Sequence, residues 1–269
     1  MRNFAHSIPF AKYHGLGNDY IVVQKEFGAL NCDEIVRICD VHFGIGCDGI
    51  LVDESRDGGF AVKILNPDGS QAEKSGNGLR IFSRYLFDNG LVKLGERFEI
   101  TTLGGLVNAA VIDKNSVKVE MGKVLFETMN EKIAVLDREF IFCGVNIGNP
   151  HCVIVLDEIS PQIAKKYGAL IETDKRFINR TNVQFMKIVD KNNVQIEIWE
   201  RGAGYTLASG SSGAAAAAVA YKSGLCENEI YVAMPGGKLS VSFDAYFNAT
   251  IQGGVQKIAA GEIADECFE

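Results

Sequence analysis

The chain has 269 residues, a length typical of two domains or of one large domain. With 47% apolar and 23% charged residues it is predicted to be soluble and globular, which excludes disordered, collagenous and fibrous classes. Its net charge of −7 argues against nucleic-acid or anionic-membrane binding, because both need a basic face. We expect no signal peptide, since residues 1–6 contain no apolar run. We also expect no membrane span, since the longest apolar run, residues 214–221, is too short to cross a bilayer.

The cysteines are odd in number and scattered, without the close pairs or histidine partners of a zinc site. A chain of this size does not need disulfides to fold. We therefore predict reduced thiols, a cytoplasmic protein and no bound metal. The cysteines occupy positions 32, 39, 47, 143, 152, 226 and 267.

The predicted elements, taken in chain order, give an α/β texture. A helix is predicted after Asp33 as N-cap, and a second one between Ser160 and Gly168, with Pro161 as its first residue. Residues 79–87 and 213–221 are apolar on most or all sides, which is typical of buried helices. Runs of β-branched residues predict strands at 20–23, 61–65, 116–120, 152–155, 183–186 and 194–199.

The sequence also contains an internal echo. Ser-Gly at positions 75 and 76 recurs 134 residues later at 209 and 210, and Gly90-Leu91 recurs at the same offset. A weaker echo relates residues 15–23 to residues 146–154. We predict two similar halves, residues 1–124 and 125–269, with the last residues of the chain returning to the first half. Each half is expected to wrap a sheet around one central helix.

Ser75 and Ser209 are expected at the first turns of the two central helices. Helix N-termini present unpaired N–H groups and a positive dipole end, so they attract anions. If both faced one cleft between the halves, they could hold a carboxylate from two sides. The plain alternative is that each serine is only an N-cap and each glycine only a turn residue.

Several ordered motifs resemble those of the diaminopimelate epimerase family, over about residues 9–225. The two most specific are residues 66–80 and 200–210; in the family, cysteine stands where Ser75 and Ser209 stand here. Further blocks resemble the family at residues 14–20, 44–48, 148–151 and 180–183.

The resemblance implies two similar α/β (α+β) domains, each a mixed β-barrel around a central helix, with the active site in the cleft between them. It implies racemisation or epimerisation of a small amino acid without pyridoxal phosphate or metal. One cysteine thiolate would remove the α-proton and the other thiol would protonate the opposite face. A cysteine at a helix N-terminus suits this chemistry, because its pKa is depressed there. A homodimer is also considered.

By motif position, the resemblance assigns roles to individual residues. The proton-transfer positions are Ser75 and Ser209, with His151 and Glu200 beside them. Backbone N–H groups for the α-carboxylate would come from Gly76, Asn77, Gly210 and Ser211. The remaining substrate contacts would come from Asn18, Asn66, Asn149, Asn182 and Arg201. An isolated asparagine could equally be a turn former.

Both proton-transfer positions depart from the family pattern. A hydroxyl is a far weaker acid than a thiol, so this chain is predicted to be nearly inert as a two-base racemase. A natural pseudoenzyme, a natural serine enzyme and a deliberate cysteine-to-serine pair are the three explanations. We favour the deliberate pair, because the rest of the site is retained and no group is at hand to activate two hydroxyls.

Two further departures concern the substrate. The family usually has glutamine at the position of Gly49 and glutamate at that of Tyr205. Both could be neutral drift. Otherwise an aromatic residue near a polar pocket favours an imidazole, which makes histidine the first candidate after diaminopimelate itself.

Two alternatives of other kinds stay open. One is a non-catalytic amino-acid-binding protein on the same scaffold, with native serines. The other is an isomerase like the phenazine-biosynthesis relatives, in which Glu73 or Asp68 would be the single acidic base.

Overall fold

The computed structural model describes residues 7–27 and 29–268, and they form two compact units. The first unit holds the described residues up to Val119 together with those from Gly254 onward. The second unit is Glu120–Gly253.

The first unit begins with a β-hairpin and alternates strands with two helices. A short 3-10 turn, Lys25–Phe27, follows the hairpin. The elements up to the unit boundary are β1 (Ile8–Gly15), β2 (Asn18–Gln24), α1 (Cys32–Cys39), β3 (Ile50–Asp53), β4 (Phe60–Leu65), β5 (Gln71–Ala72), α2 (Gly76–Asp88), β6 (Arg97–Thr102), β7 (Gly105–Asp113) and β8 (Ser116–Lys123).

The second unit repeats this succession, and the chain then returns to the first. Its elements are β9 (Leu125–Val135), β10 (Arg138–Asn146), β11 (Pro150–Val155), α3 (Pro161–Glu172), β12 (Asn182–Asp190), β13 (Asn193–Glu200), β14 (Gly204–Thr206), α4 (Gly210–Lys222), β15 (Glu229–Met234), β16 (Gly237–Phe243) and β17 (Asn248–Gly254). The returning strand is β18 (Gln256–Ile263), followed by a 3-10 turn at Asp265–Phe268.

Strand pairing is the same in the two units. The first runs β18–β1–β2–β3–β4–β6–β7–β8, with β5 beside β4. The second runs β9–β10–β11–β12–β13–β15–β16–β17, with β14 beside β13. Two pairs in each row are parallel: the third strand with the fourth (β2–β3 and β11–β12), and the two strands on either side of the central helix in the chain (β4–β6 and β13–β15). The other pairs of each row are antiparallel. The predicted fold of two similar mixed β-domains is confirmed.

Each central helix is enclosed by its own sheet. Helix α2 packs against β1, β2 and β7, and α4 packs against strands from β10 to β16. Strands that lie far apart in one row can touch a single helix only if the row curves around it. The helices are accordingly buried, with Ala214 to Ala220 of α4 essentially inaccessible to solvent. They begin three residues before the apolar stretches that predicted them, at Gly76 and Gly210.

Helix caps account for most of the predicted boundaries. Ser160 caps α3 by accepting a hydrogen bond from Ile163 N, with Pro161 as the first helical residue, as predicted. The predicted end at Gly168 is wrong, because the helix continues to Glu172 and Gly168 instead allows the Trp199 side chain to approach the helix closely. The prediction that Asp33 is an N-cap is wrong. Asn31 caps α1 instead, because its side chain accepts from Glu34 N while the Glu34 carboxylate accepts from Asn31 N.

Each predicted strand lies within an observed one. All seven cysteines fall in the described residues and are free thiols. Within that same part of the chain, none of the helices has the length and apolar character needed to cross a bilayer.

Candidate functional site

The shared topology matches positions in the two halves pair by pair. In the β1–β2 and β10–β11 hairpins an asparagine stands at the turn, Asn18 or Asn149, and Tyr20 or His151 stands two residues later in the second strand. The parallel registers align Ile21 with Ile50 and Cys152 with Val183, so the positions just before these partners, Gly49 and Asn182, correspond. The 134-residue offset relates the central helices. It matches Ser75 with Ser209, Asn77 with Ser211, and Arg80 with Ala214.

In the first half, Ser75 is the N-cap of α2. Its backbone is extended, and its Oγ accepts a hydrogen bond from Gly78 N at 3.0 Å. The Tyr20 hydroxyl lies 3.3 Å from the same oxygen. The serine is therefore both a cap and a hydroxyl at the positive end of a buried helix, as predicted.

Behind Ser75, four side chains form one chain of hydrogen bonds. Arg80 Nη2 donates to Asn77 Oδ1 at 2.8 Å, and Asn77 Nδ2 donates to Asn18 Oδ1 at 2.9 Å. Asn18 Nδ2 then donates to Asp48 Oδ2 at 2.8 Å. A guanidinium can only donate and a carboxylate can only accept, so the two ends fix the orientation of both amides between them. We call these four residues the amide relay.

The amide relay begins at a charge that has been removed from water. The Arg80 side chain is fully buried, and burial lowers its pKa to about 10. It also donates to Gly76 O, while its Nε has no hydrogen-bond partner among the described residues. At the far end, partial desolvation and the neighbouring Asp19 carboxylate raise the pKa of Asp48, which stays in contact with solvent and also accepts from Asp19 N. The start of α2 thus carries a buried cation in addition to its helix dipole.

Asn66 occupies the turn that follows β4. Its side chain donates to Ser70 Oγ at 2.9 Å, and its backbone N–H donates to Ser70 O. This is the behaviour of a turn-forming asparagine. Asp68 of the same turn accepts from the Ser70 hydroxyl and amide, which lower the pKa of its carboxyl. A carboxyl held ionised in this way is poorly suited to be the single acidic base of the phenazine-type alternative.

In the second half, Ser209 caps α4, although more loosely. Its Oγ accepts from Ser212 N at 3.4 Å and lies 3.5 Å from Ser211 Oγ. Asn149 Nδ2 lies 3.5 Å from Ser211 Oγ, and Asn149 Oδ1 lies 2.8 Å from His151 Nε2. The structure therefore brings His151, Asn149 and Ser211 together at the start of α4, with His151 linked to the helix start through Asn149 and Ser211.

His151 is buried in its neutral form. Its pKa falls to about 3, mainly because of burial; the neighbouring Gln184 side chain opposes the shift, and the charge of Arg201 acts in the same direction as burial. Its Nδ1 and Gln184 Oε1 are both without a hydrogen-bond partner in the described residues, whereas Gln184 Nε2 donates to Ser212 Oγ. His151 cannot therefore be a protonated acid near neutral pH, and serves as a neutral donor or acceptor.

Asn182, Glu200 and Arg201 shape the loop between β13 and β14. Asn182 Nδ2 donates to Pro150 O at 2.9 Å, and its Oδ1 accepts from Arg201 N at 3.0 Å. Arg201 Nη1 donates to Asn179 O, and Glu200 Oε1 accepts from the Thr206 hydroxyl. These predicted substrate contacts are thus engaged with their own half of the protein, where they hold this loop and the β11 strand together.

Glu172 supports the same loop and was missed by the sequence reasoning. It is almost fully buried at the end of α3 and accepts from Trp199 Nε1 at 2.7 Å and Gly202 N at 2.9 Å. Arg180 Nη2 lies 2.5 Å from its carboxylate. A glutamate in the last turn of an amphipathic helix gives no signal in sequence that it is buried.

The contacts of Tyr205 are those of a residue packed within the second half. Its hydroxyl donates to Glu197 Oε2 at 2.6 Å, Lys165 Nζ lies 4.9 Å from its ring centre, and the ring packs on an apolar cluster that includes Tyr167. Burial and the buried Glu197 carboxylate raise its pKa. The departure at Gly49 has a different structural reason. A Cβ there would lie 2.6 Å from both Leu65 O and Tyr20 Cε1, so the close approach of these atoms excludes a side chain.

No group of three or more His, Cys, Asp or Glu side chains in residues 7–27 and 29–268 is arranged as it would need to be for a metal ion. The chemistry that the site residues themselves can offer is hydrogen bonding to an anion at two helix N-termini.

Structural comparison shows the fold. A hydroxyproline epimerase from Agrobacterium vitis, solved with bound trans-4-hydroxy-L-proline, superposes with a TM-score of 0.77 over 99% of this chain and 94% of its own, at 17% identity. A Bacillus anthracis phenazine biosynthesis protein of the PhzF family superposes with a TM-score of 0.74 over 96% of this chain and 99% of its own, at 14% identity.

Sequence comparison is more specific. Diaminopimelate epimerase 2 of Nostoc sp. is 50% identical over 276 aligned positions, covering 96% of each chain. Diaminopimelate epimerase of Carboxydothermus hydrogenoformans is 37% identical, covering 87% of this chain and 91% of its own. The family profile described as diaminopimelate epimerase matches residues 10–127 and 143–258. The resemblance carried by the motifs is thus confirmed, and the chain belongs to the diaminopimelate epimerase family.

Proposed function

We propose that this protein is the scaffold of a cytoplasmic amino-acid racemase or epimerase that works with two bases and without pyridoxal phosphate or metal. The observation that carries the proposal is the equivalence of Ser75 and Ser209. Each caps the buried central helix of its own half and presents a side-chain oxygen there. Two equivalent groups on two equivalent helix N-termini are what inversion at one carbon requires, provided that both act on the same substrate.

In the proposed reaction, a thiolate at one of the two positions accepts the α-proton as the Cα–H bond breaks. The thiol at the other position donates its proton to the opposite face of the carbanion, so that charge and protons balance. Backbone N–H groups after the caps, from Gly76 and Asn77 in one half and Gly210 and Ser211 in the other, would bind the α-carboxylate. The buried Arg80 adds positive potential at the first of these helix ends.

The two serines make this chain a binding form of that enzyme. A hydroxyl has nearly the shape of a thiol but is a far weaker acid, and neither serine has a base among its described hydrogen-bond partners. We therefore propose that serine replaces cysteine at both positions, and that the protein binds its substrate without turning it over.

Diaminopimelate and histidine are the two substrate candidates. Diaminopimelate is favoured by the relatives named diaminopimelate epimerase, one of them 50% identical. Histidine is favoured by the departure at Gly49, which adjoins the Tyr20 ring. The departure at Tyr205 adds no support, because its hydroxyl bonds Glu197 and its ring packs on an apolar cluster. A pocket bordered by an aromatic ring in place of a glutamine side chain suits a planar imidazole better than an aliphatic chain with a second charged end.

The test restores both thiols. We expect the Ser75→Cys/Ser209→Cys protein to exchange the α-hydrogen of one of these amino acids in deuterated water and to racemise it without added cofactor. Alkylation should stop the reaction. The protein with both serines should bind the same amino acid with no measurable exchange of its α-hydrogen. Each variant with a single cysteine should be poor at full inversion.

One result would overturn the proposed racemase or epimerase function. If the double-cysteine protein exchanges no α-hydrogen in diaminopimelate, histidine or a panel of other amino acids, although it binds one of them, the chain is an amino-acid-binding protein instead. Turnover of diaminopimelate alone would remove histidine, and turnover of histidine alone would remove diaminopimelate.

A further inference from the structure

Tyr20 is the side chain that most clearly distinguishes the surroundings of Ser75 from those of Ser209. It is almost fully buried on β2, and its hydroxyl lies 3.3 Å from Ser75 Oγ. At the matching place in the second half stands His151, whose Nε2 is directed at Asn149 Oδ1. The strand position that matches Tyr20 therefore brings no donor to Ser209, whose side-chain neighbour is the Ser211 hydroxyl at the longer distance of 3.5 Å.

The position of the Tyr20 ring depends on Gly49. A Cβ at residue 49 would meet Tyr20 Cε1 at 2.6 Å, a distance that real carbon contacts do not reach, and Tyr20 Cδ1 at 3.0 Å, which is a tight contact. In the second half the matching residue is Asn182, whose amide bonds Pro150 O and Arg201 N. In the first half, the space that a side chain at position 49 would need is therefore occupied by the Tyr20 ring, whose hydroxyl lies near Ser75.

We propose that the Tyr20 hydroxyl is a catalytic hydrogen-bond donor to the group at position 75 and holds that group in its deprotonated form. The inference rests on the proposed two-base function. Between Tyr20 and a serine, either oxygen can be the donor. A thiolate has no proton to give, so with cysteine at position 75 the phenol must donate. Gly78 N–H, which already points at this atom, supplies the second donor.

As a consequence, the two positions differ in how strongly they stabilise a thiolate. Two donors and a helix N-terminus favour the thiolate at position 75. Position 209 has the backbone donor at 3.4 Å and the Ser211 hydroxyl at 3.5 Å, which are longer contacts. The group at position 75 is therefore the resident base, and the enantiomer whose α-hydrogen faces it is the one deprotonated by the free enzyme.

The experiment measures the thiol directly and does not need turnover. In the Ser75→Cys protein, which keeps Ser209, the rate of alkylation at position 75 is followed against pH by peptide mass spectrometry. We expect Tyr20→Phe to raise the titration midpoint of this thiol by about one unit, so that alkylation below both midpoints slows about tenfold, because a hydrogen bond to an ion is lost. The phenylalanine keeps the ring and its packing against Gly49.

The matched control is the Ser209→Cys protein with and without Tyr20→Phe, in which the midpoint at position 209 should not move. Equal midpoints at position 75 with and without the Tyr20 hydroxyl would overturn the proposal, and so would an equal shift at both positions. In the Ser75→Cys/Ser209→Cys enzyme, Tyr20→Phe should lower kcat with little change in KM and move the acid limb of the rate profile to higher pH. If that enzyme turns over no amino acid, the proposed function fails, but the thiol titration still decides the role of Tyr20.

Discussion

The two halves share one topology and surround equivalent serines with different chemistry. In the first half a phenol contacts Ser75, and the helix that Ser75 caps carries the amide relay, with its buried cation, two oriented amides and a carboxylate. Around Ser209 stand a neutral histidine, an asparagine and further hydroxyls, with Ala214 at the place of Arg80. The backbone repeat thus supplies two equivalent helix N-termini, while the side chains place a buried guanidinium and a phenol at only one of them.

The strongest way to break this asymmetry is to remove Arg80. Arg80→Ala should lower the free energy of unfolding by about 3–5 kcal/mol, because it leaves a cavity and removes the hydrogen bond to Asn77 Oδ1. Arg80→Met keeps most of the volume and should cost less in stability, because a buried charge is removed with it. Urea unfolding measures both. Ligand titration by calorimetry should show weaker binding in both variants, and unchanged affinity in Arg80→Met would show that the amide relay does not orient the site.

Filling Gly49 should disturb only the first half. Gly49→Ala places a methyl group 2.6 Å from the Leu65 carbonyl oxygen and from the Tyr20 ring, so we expect a stability loss of about 3 kcal/mol. The comparison is Asn182→Ala at the matching position, which removes two hydrogen bonds without a clash. Chemical shifts of Tyr20 should move in the first variant and stay in place in the second. An undisturbed Tyr20 in Gly49→Ala would contradict the packing described.

The buried histidine should make the second half sensitive to acid. The pKa of His151 is about 3 in the folded protein and about 6.5 when unfolded, so the unfolded chain binds the extra proton between these values. Its contribution is fully present above about pH 6.5 and decreases as the pH falls, by about 2 kcal/mol at pH 5. His151→Gln should therefore lose less stability than the parent between pH 7 and pH 5 in thermal melts. Parallel losses would place another group behind the acid sensitivity.

The smallest effect is expected at Tyr205. Tyr205→Phe removes the hydrogen bond to the buried Glu197 and should cost about 1 kcal/mol in thermal unfolding, with little change in amino-acid affinity. Tyr205→Glu should cost more, since it brings a second carboxylate toward Glu197. If Tyr205→Phe instead changes which amino acid binds, the residue determines specificity after all.

Local signals predicted much of the fold. Ser160 and Pro161 start α3, and the apolar stretches at 79–87 and 213–221 lie in buried helices, because capping and burial leave direct traces in sequence. Asp33 was misassigned because Asn31, two residues earlier, has the same capping chemistry and a glutamate at the right spacing. The 134-residue echo reflects real structural equivalence between the central helices.

Long-range contacts were not predictable in the same way. Asn18, Asp48 and Asn77 come from separate segments of the first half and meet only after the sheet has closed around α2. The motifs marked some of these residues, but no spacing rule indicates which amide bonds which carboxylate. The burial of Glu172, and the partner chosen by Tyr205, were likewise decided by tertiary packing alone.

The return of β18 to the first unit also bears on the order of folding. Strand β1 pairs with β2 on one side and with β18 on the other, with Ile8 opposite Ile263. During synthesis on the ribosome, one edge of β1 therefore has no strand to pair with until nearly the whole chain has been made. The second unit, Glu120–Gly253, is contiguous, so its sheet can form earlier. Although proteins commonly fold from the N-terminal domain onward, here the second unit is free to be completed first. Until β18 is in place, β1 exposes an edge that can pair with another chain.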